Sequence, residues 1–394
     1  MNIAMVTHWA FPPDTRIEIE ASALIRAGYK VFVYANAKQS RQRVESFHGI
    51  VVRYFSPIVV LGSYIGSVPS IRSLLLHDDI DAVHVQDTPI LLLSLLYGKL
   101  LSLPVIYDAH EIWPFLALEN PRTSPLRRLW LFSYYSILES VGSQFCDLLV
   151  SVSEEQVEYF VGRYRVDKRK TVTAMNLVDL SMLPKLSRVE LRSEEARTFK
   201  VCYVGGIEAA RNLETVVEAA ALLKDQNVSF VIVGEGNVRK DLQRLAQTLQ
   251  ASNVVFTGFL PFVQAMSVAA SSDVCLVPHL KTFRTDRTFP HKVTQYMALG
   301  KAVIVSPLNP ILRLLSSSVA VWNPMSAQRL AQIILEMRDN GTLRSELQAK
   351  GPQLVKEKLN WDHESVKLVD AYRRLLGHQM TDTYVRSERH TKKS

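Results

Sequence analysis

The chain has 394 residues, 47% hydrophobic and 21% charged, with a formal net charge of +8. That length exceeds one ordinary core and suits two α/β domains, and the composition excludes a disordered or collagen-like protein. Of its 46 Lys/Arg and 38 Asp/Glu, residues 1–180 hold 17 and 18, leaving 29 and 20 for residues 181–394.

The first forty residues read as strand, loop, helix, strand. Residues 2–6 are an apolar β run, and residues 8–16, with Pro12 and Pro13, are irregular. Residues 17–27 have helical spacing ended by Gly28, and residues 29–34 are β-rich again. This βαβ order predicts a parallel sheet with helices on its faces. Further strands are expected at 81–85, 104–107 and 148–152, with a helix over 90–100 and another after Ser153. The alternating charges of residues 184–199 read as a linker between an N-terminal domain (1–183) and a second βα series. That series has strands at 200–204, 228–233, 254–257, 274–277 and 302–305. The tail from about His378 is polar and expected to be mobile.

The basic excess of the C-terminal half is where an anion such as a nucleotide diphosphate is expected. No nucleic-acid-binding signature accompanies it, so nucleic acid is not an expected partner. Cys146, Cys202 and Cys275 lie in or beside apolar runs and read as reduced core thiols in a cytosolic compartment. No membrane-spanning segment is expected. Asp79-Ile-Asp81 imitates a metal-binding Asp-x-Asp but precedes a strand instead of following one, so no metal is expected. Trp130, Phe132, Tyr134 and Tyr135, close to Arg122, Arg127 and Arg128, suggest either a half-buried helix or a peripheral contact with an anionic membrane.

Open parallel sheets bind ligands beyond the carboxyl ends of their strands. There Gly205-Gly206 let backbone approach a ligand, with Arg211 within reach. Gly234-Glu235-Gly236 follows the next strand. Pro290 suits the first turn of a helix whose free N–H groups favour an anion, and Lys292 adds a charge beside it.

The stretch from Phe289-Pro290 through Lys292, Gln295-Tyr-Met-Ala-Leu-Gly300 to Ile304 resembles the donor-binding helix of glycosyltransferase family 4. Pro13-Asp14-Thr15-Arg16 and Asp108-Ala109-His110-Glu111 resemble loops of its bacterial polysaccharide branch. Tyr203-Val-Gly-Gly, the Phe256-Thr-Gly-Phe-Leu turn, Asp273 to Pro278 and the late Trp361 also fit.

The resemblance implies a GT-B fold, two Rossmann-like domains facing a cleft. A nucleotide-sugar domain would cover 200–355, and a helix over 356–377 would return to the N-terminal domain. It implies a retaining, metal-independent transferase with no cofactor, moving a sugar from a UDP- or GDP-sugar to a glycan or polyprenyl-linked acceptor in cell-surface polysaccharide synthesis. By that resemblance Arg211 and Lys292 hold the diphosphate and His110 approaches the donor sugar. Glu235 lies beside the base, and Gln295 takes the place of a ribose-binding glutamate. Arg16, Asp108, Glu111 and Asp286 are the remaining candidates, Asp286 as a shifted substitute for the family's other glutamate, whose position is Arg287 here. The missing acidic pair leaves a non-catalytic sugar-nucleotide binder or scaffold of the same fold as an alternative, with a sugar-nucleotide epimerase as another.

Overall fold

The computed structural model describes the chain except residues 13, 38–43, 57, 61–62, 66–75, 121, 182, 184–197, 324 and 392–394, and it leaves out the side chains of 58–60, 63–65 and 378–391. Pro13 and nearly all of the expected linker thus lie outside the described residues. The chain forms two compact units, one of Met1–Met175 with Glu364–Ser394 and one of Asn176–His363.

In the first unit the strands are β1 (Asn2–Thr7), β2 (Lys30–Asn36), β3 (Ser46–Phe47) and β4 (Ile50–Phe55), the hairpin β5 (Ile58–Val60) and β6 (Ser63–Ile65), then β7 (Ala82–Gln86), β8 (Val105–Ala109), β9 (Leu148–Ser151) and β10 (Thr171–Thr173). Eight of them build one sheet in the order β10-β9-β8-β7-β1-β2-β4-β3. All its pairs are parallel except β3 with β4. Its helices are α1 (Thr15–Arg26), α2 (Leu91–Leu100), α3 (Trp113–Glu119), α4 (Pro125–Phe145) and α5 (Glu154–Tyr164). Asp14 starts α1 by accepting from the N–H groups of Arg16 and Ile17. The central strands are buried on both faces because helices cover both faces of a parallel sheet, although β7 and β8 also bury the polar His84, Gln86 and Asp108.

The second unit carries β11 (Phe199–Val204), β12 (Val228–Val233), β13 (Val254–Gly258), β14 (Val274–Val277), β15 (Ala302–Val305) and β16 (Ala320–Val321), all parallel in the order β13-β12-β11-β14-β15-β16. Around them lie α6 (Leu213–Leu222), α7 (Arg239–Thr248), α8 (Phe262–Ala270), α9 (Lys292–Ala298), α10 (Asn309–Leu315), α11 (Ala327–Asp339) and α12 (Gly341–Glu357). Helix α13 (Trp361–Thr391) ends the described chain, and its side chains beyond Gly377, where the mobile tail was expected, lie outside the description.

Asp81 accepts from the backbone N–H of Asn2 (2.6 Å), while neighbouring Asp78 pairs with Arg53 (3.1 Å). The Asp-x-Asp sequence therefore anchors the start of β1.

Candidate functional site

Chemistry-bearing side chains gather at the carboxyl ends of the strands in each unit. In the second unit, the loops after β11 and β12 are laced by backbone bonds, Gly205 N–H to Val233 O (2.9 Å) and Ile207 N–H to Glu235 O (2.9 Å). Gly234 is hemmed in by backbone, and Gly205 by the end of the Lys292 side chain. A Cβ on Gly234 would lie 1.9 Å from Gly205 O, and one on Gly205 would lie 2.3 Å from Lys292 Cε. Tyr296 of α9 accepts from the Val204 N–H (2.9 Å), which fixes α9 against the end of β11. Lys292 is thereby held over Gly205.

Arg211 comes from the short 3₁₀ turn after β11, and its Nη1 lies 2.9 and 3.1 Å from the two ring nitrogens of His279. Burial, then Arg211 and Lys292, hold His279 well below the usual imidazole range, so it is neutral and can accept. His291 is depressed by burial and the same two cations. Burial, together with repulsion from Arg211, lowers Lys292 to about 7. Neither Arg211 nor Lys292 has a carboxylate partner among the described residues. Two cations pushed together with no counter-charge form a site that an anion would complete.

The other sequence candidates of this unit fall into different places. Pro290 is buried and its carbonyl accepts from the Val293 N–H (3.1 Å), so it stands in the turn leading into α9, one residue before the N-cap His291, rather than in the first helical turn. Gln295 is buried in α9, three residues beyond Lys292, and has no side-chain hydrogen bond among the described residues. Gly206 O accepts from the Tyr203 hydroxyl (2.8 Å). Glu235 pairs with Arg239 (2.6 Å). Asp286 accepts from the Asn309 N–H (2.8 Å) and lies 3.4 Å from Lys281 Nζ, so it tethers the start of α10.

A bound diphosphate should return Lys292 toward its ordinary value. At pH 8 the free lysine is mostly neutral, so binding takes up about one proton, and at pH 6 almost none. Affinity accordingly falls as pH rises above 7. Calorimetry with UDP-glucose in buffers of different ionisation enthalpy measures this uptake, which Lys292→Ala should abolish.

In the first unit a buried network joins four elements. Arg16 of α1 has its Nε 2.5 Å from Glu20 Oε1 and its Nη2 3.6 Å from Asp108 Oδ2. The same Asp108 oxygen lies 3.0 Å from His110 Nε2 and 3.3 Å from His84 Nε2, while His84 Nδ1 is 2.5 Å from the Tyr372 hydroxyl of α13. Burial keeps His84 neutral. Its Nε2 can donate to Asp108 or accept from Gln86 Nε2 (3.2 Å), while Nδ1 meets the Tyr372 hydroxyl, so both tautomers find partners. Burial works against the charge on His110, but Asp108 and Asp87 outweigh it and raise the imidazole to about 10. Burial also works against the charge on Asp108, yet His110 and Arg16 hold it well below the carboxylate range, while burial pushes Glu20 up. Asp108 thus carries the negative charge. Glu20, His84 and Asp108 present ligand atoms within 4.8 Å of one another, but the Arg16 guanidinium already supplies the cation there.

Asp87, absent from the sequence candidates, follows β7 with φ 71° and ψ 166°, a conformation close to glycine-only. It costs about 1–3 kcal/mol and places a carboxylate oxygen 3.1 Å from the His110 N–H. Burial raises Asp87 to about 6, and Glu111 adds to the rise. Sequence reasoning also missed Glu20, His84, Tyr372 and His279. Only His279 carried a signal, its place two residues past the end of a strand.

Residues 15–182 match Glycosyltransferase Family 4, and residues 189–354 match Glycosyl transferases group 1. The amylovoran biosynthesis glycosyltransferase AmsK of Erwinia amylovora is 25% identical over 41% of this chain and 42% of its own. The chain spans between about a quarter and two thirds of the length of the curated relatives it matches. Among solved structures, sucrose-phosphate synthase from Thermosynechococcus elongatus superposes with a TM-score of 0.77 at 17% identity, covering 96% of this chain and 100% of that one. HepE of Anabaena, solved in complex with UDP, gives 0.72 at 16% identity, covering 95% and 100%.

Proposed function

Because the chain belongs to glycosyltransferase family 4 and is a GT-B glycosyltransferase related to enzymes of polysaccharide synthesis, we propose that it transfers a sugar, with retention of configuration and without a metal, from a UDP- or GDP-sugar to a glycan or polyprenyl-linked acceptor. The observation that carries the donor reading is the pair of uncompensated cations, Arg211 and Lys292, held at the carboxyl end of β11. As the glycosidic bond breaks, negative charge grows on the diphosphate, and cations already in place stabilise it without reorganisation. His110, protonated near neutral pH, can donate a hydrogen bond to the sugar but cannot act as the base. A phosphate oxygen of the leaving group then accepts the proton of the incoming hydroxyl. Incubation with a panel of UDP- and GDP-sugars tests the reading. Slow release of the nucleoside diphosphate from one of them supports it, and binding without any release would make the chain a non-catalytic sugar-nucleotide binder.

We also propose that the first unit touches an anionic membrane surface. No described helix is long and apolar enough to cross a membrane. The outer side of α4 nevertheless exposes Leu126, Leu129, Trp130 and Ile137, while α2, packed against it, exposes Leu92, Leu96 and Leu100. Of the aromatics for which the sequence left a half-buried helix and a membrane contact open, Tyr135 is buried. Arg127 is exposed at the start of α4, whereas Arg128 bonds the carbonyl of Thr123 (2.8 Å) and is better left alone. Replacing Leu126, Arg127 and Trp130 by serine should weaken binding to phosphatidylglycerol vesicles, the arginine contributing about 1 kcal/mol that high salt also removes. Binding that ignored both salt and substitution would remove this contact.

A further inference from the structure

Trp9 lies in the loop after β1, half exposed at 48%, yet its place is fixed. Its N–H donates to Thr7 Oγ1 (3.1 Å), and its carbonyl accepts from the Asn36 N–H (3.1 Å). Folding thus holds a large indole partly out in solvent, against the ring of His8. A row of rings leads away from it. Trp9 to His8 is 4.6 Å between centroids, His8 to Trp113 is 5.6 Å, and Trp113 to Tyr135 is 5.2 Å. Tyr135 to Tyr134 is 5.3 Å, and Tyr134 stacks on Trp130 at 5.3 Å with 8° between planes. His8 and Tyr135 are buried and pack beneath, while Trp9, Trp113, Tyr134 and Trp130 keep exposed surface. The row passes His110 at Trp113, which opens α3 three residues after it. The far end of the row is the outer side of α4.

We propose that Trp9, Trp113 and Tyr134 form an acceptor track on which the sugars of a lipid-anchored saccharide stack, ring face on ring face, with Trp130 at its lipid end. The proposal rests on the glycosyltransferase reading and supplies its acceptor class. Aromatic faces hold the C–H face of a pyranose while its hydroxyls stay hydrated, and indole and phenol rings are suited to that mixed surface. An alkyl chain would instead lie on continuous aliphatic surface, which α2 and the outer side of α4 offer with Leu92, Leu96, Leu126 and Ile137. The sugars thus run toward His110 while their anchor remains at α4.

The test uses the full chain labelled with 5-fluorotryptophan, whose five tryptophans give signals assignable by single substitution. Glucose-, galactose- and mannose-terminated disaccharides are titrated both as methyl glycosides and linked to farnesyl diphosphate, with farnesyl diphosphate alone as control. Disaccharides in both forms should shift the Trp9 and Trp113 signals, while farnesyl diphosphate shifts only Trp130. A Trp9 signal unmoved by every saccharide, or moved equally by farnesyl diphosphate, overturns the track. In turnover with the farnesyl-linked panel, Trp9→Ala should lower the ratio of transfer to donor hydrolysis at least about tenfold, equivalent to about 1.4 kcal/mol. Trp9→Tyr should restore most of that ratio, and an unchanged ratio in Trp9→Ala counts against the track. Absence of donor hydrolysis in the unmodified protein, with Trp9 still responding to sugars, would count against the donor reading and leave the track standing.

Discussion

Lys292→Ala should lower kcat by about 10²–10³-fold, the usual cost of removing one preorganised charge-stabilising donor. The loss should fall on kcat more than on affinity for the free nucleotide, because the diphosphate gains charge only as the bond to the sugar breaks. Arg211→Ala should cost a similar amount but differ in pH behaviour. Arg211 helps to depress Lys292, so its removal lets the lysine rise and shrinks the proton uptake on binding. Gly205→Ala should act like a lysine mutant, because its new methyl group would lie 2.3 Å from Lys292 Cε. Single-turnover kinetics on the three variants separate these effects. Near-normal turnover in both Lys292→Ala and Arg211→Ala would place the diphosphate elsewhere.

Asp108→Asn should destabilise the first unit by about 3–5 kcal/mol, since it removes the negative member of a buried charge network. Arg16 and His110 both depend on that carboxylate. The loss should sit toward the lower end of the range, because Glu20, pushed up by burial, can ionise and take over Arg16. The pH dependence carries a sharper signature. A histidine raised to about 10 stabilises the fold fully below its unfolded value of about 6.5, and that stabilisation is lost as pH rises through about 10. In urea unfolding, the stability advantage of the unmodified protein over Asp108→Asn should therefore shrink from pH 7 to pH 10, since the opposite trend from the lowered Lys292 is common to both. An advantage that stayed constant would mean that Asp108 does not set the charge of His110.

Much of this architecture was legible in the sequence because parallel strands are continuous apolar runs. The runs at 2–6, 228–233, 274–277 and 302–305 all became strands. What escaped lies near the sheet edges. Strand β4 carries Arg53 in its middle, which reaches out to Asp78, and β10 and β16 have three and two residues. Within the candidate site, the sequence could name residues embedded in motifs, but those recruited across the fold carried no such mark. Glu20 looks like an ordinary acid of an amphipathic helix, and Tyr372 reaches His84 from 288 residues away. Nothing in the letters Gln86-Asp87 shows that the aspartate adopts a glycine-like backbone. Asp286 erred in the opposite direction, since its charge fitted the expected position while its carboxylate faces the start of α10.

The central claim is that the cations of the second unit hold a nucleoside diphosphate. Calorimetric titration of the unmodified protein and of an Arg211→Ala/Lys292→Ala double variant with UDP and with UMP tests it most directly. Each charge-assisted contact to the outer phosphate adds about 1.5–3 kcal/mol, so UDP should bind the unmodified protein at least about tenfold more tightly than UMP. The double variant should lose that preference. Equal affinity for both nucleotides in the unmodified protein, or an undiminished preference for UDP in the double variant, would contradict the account.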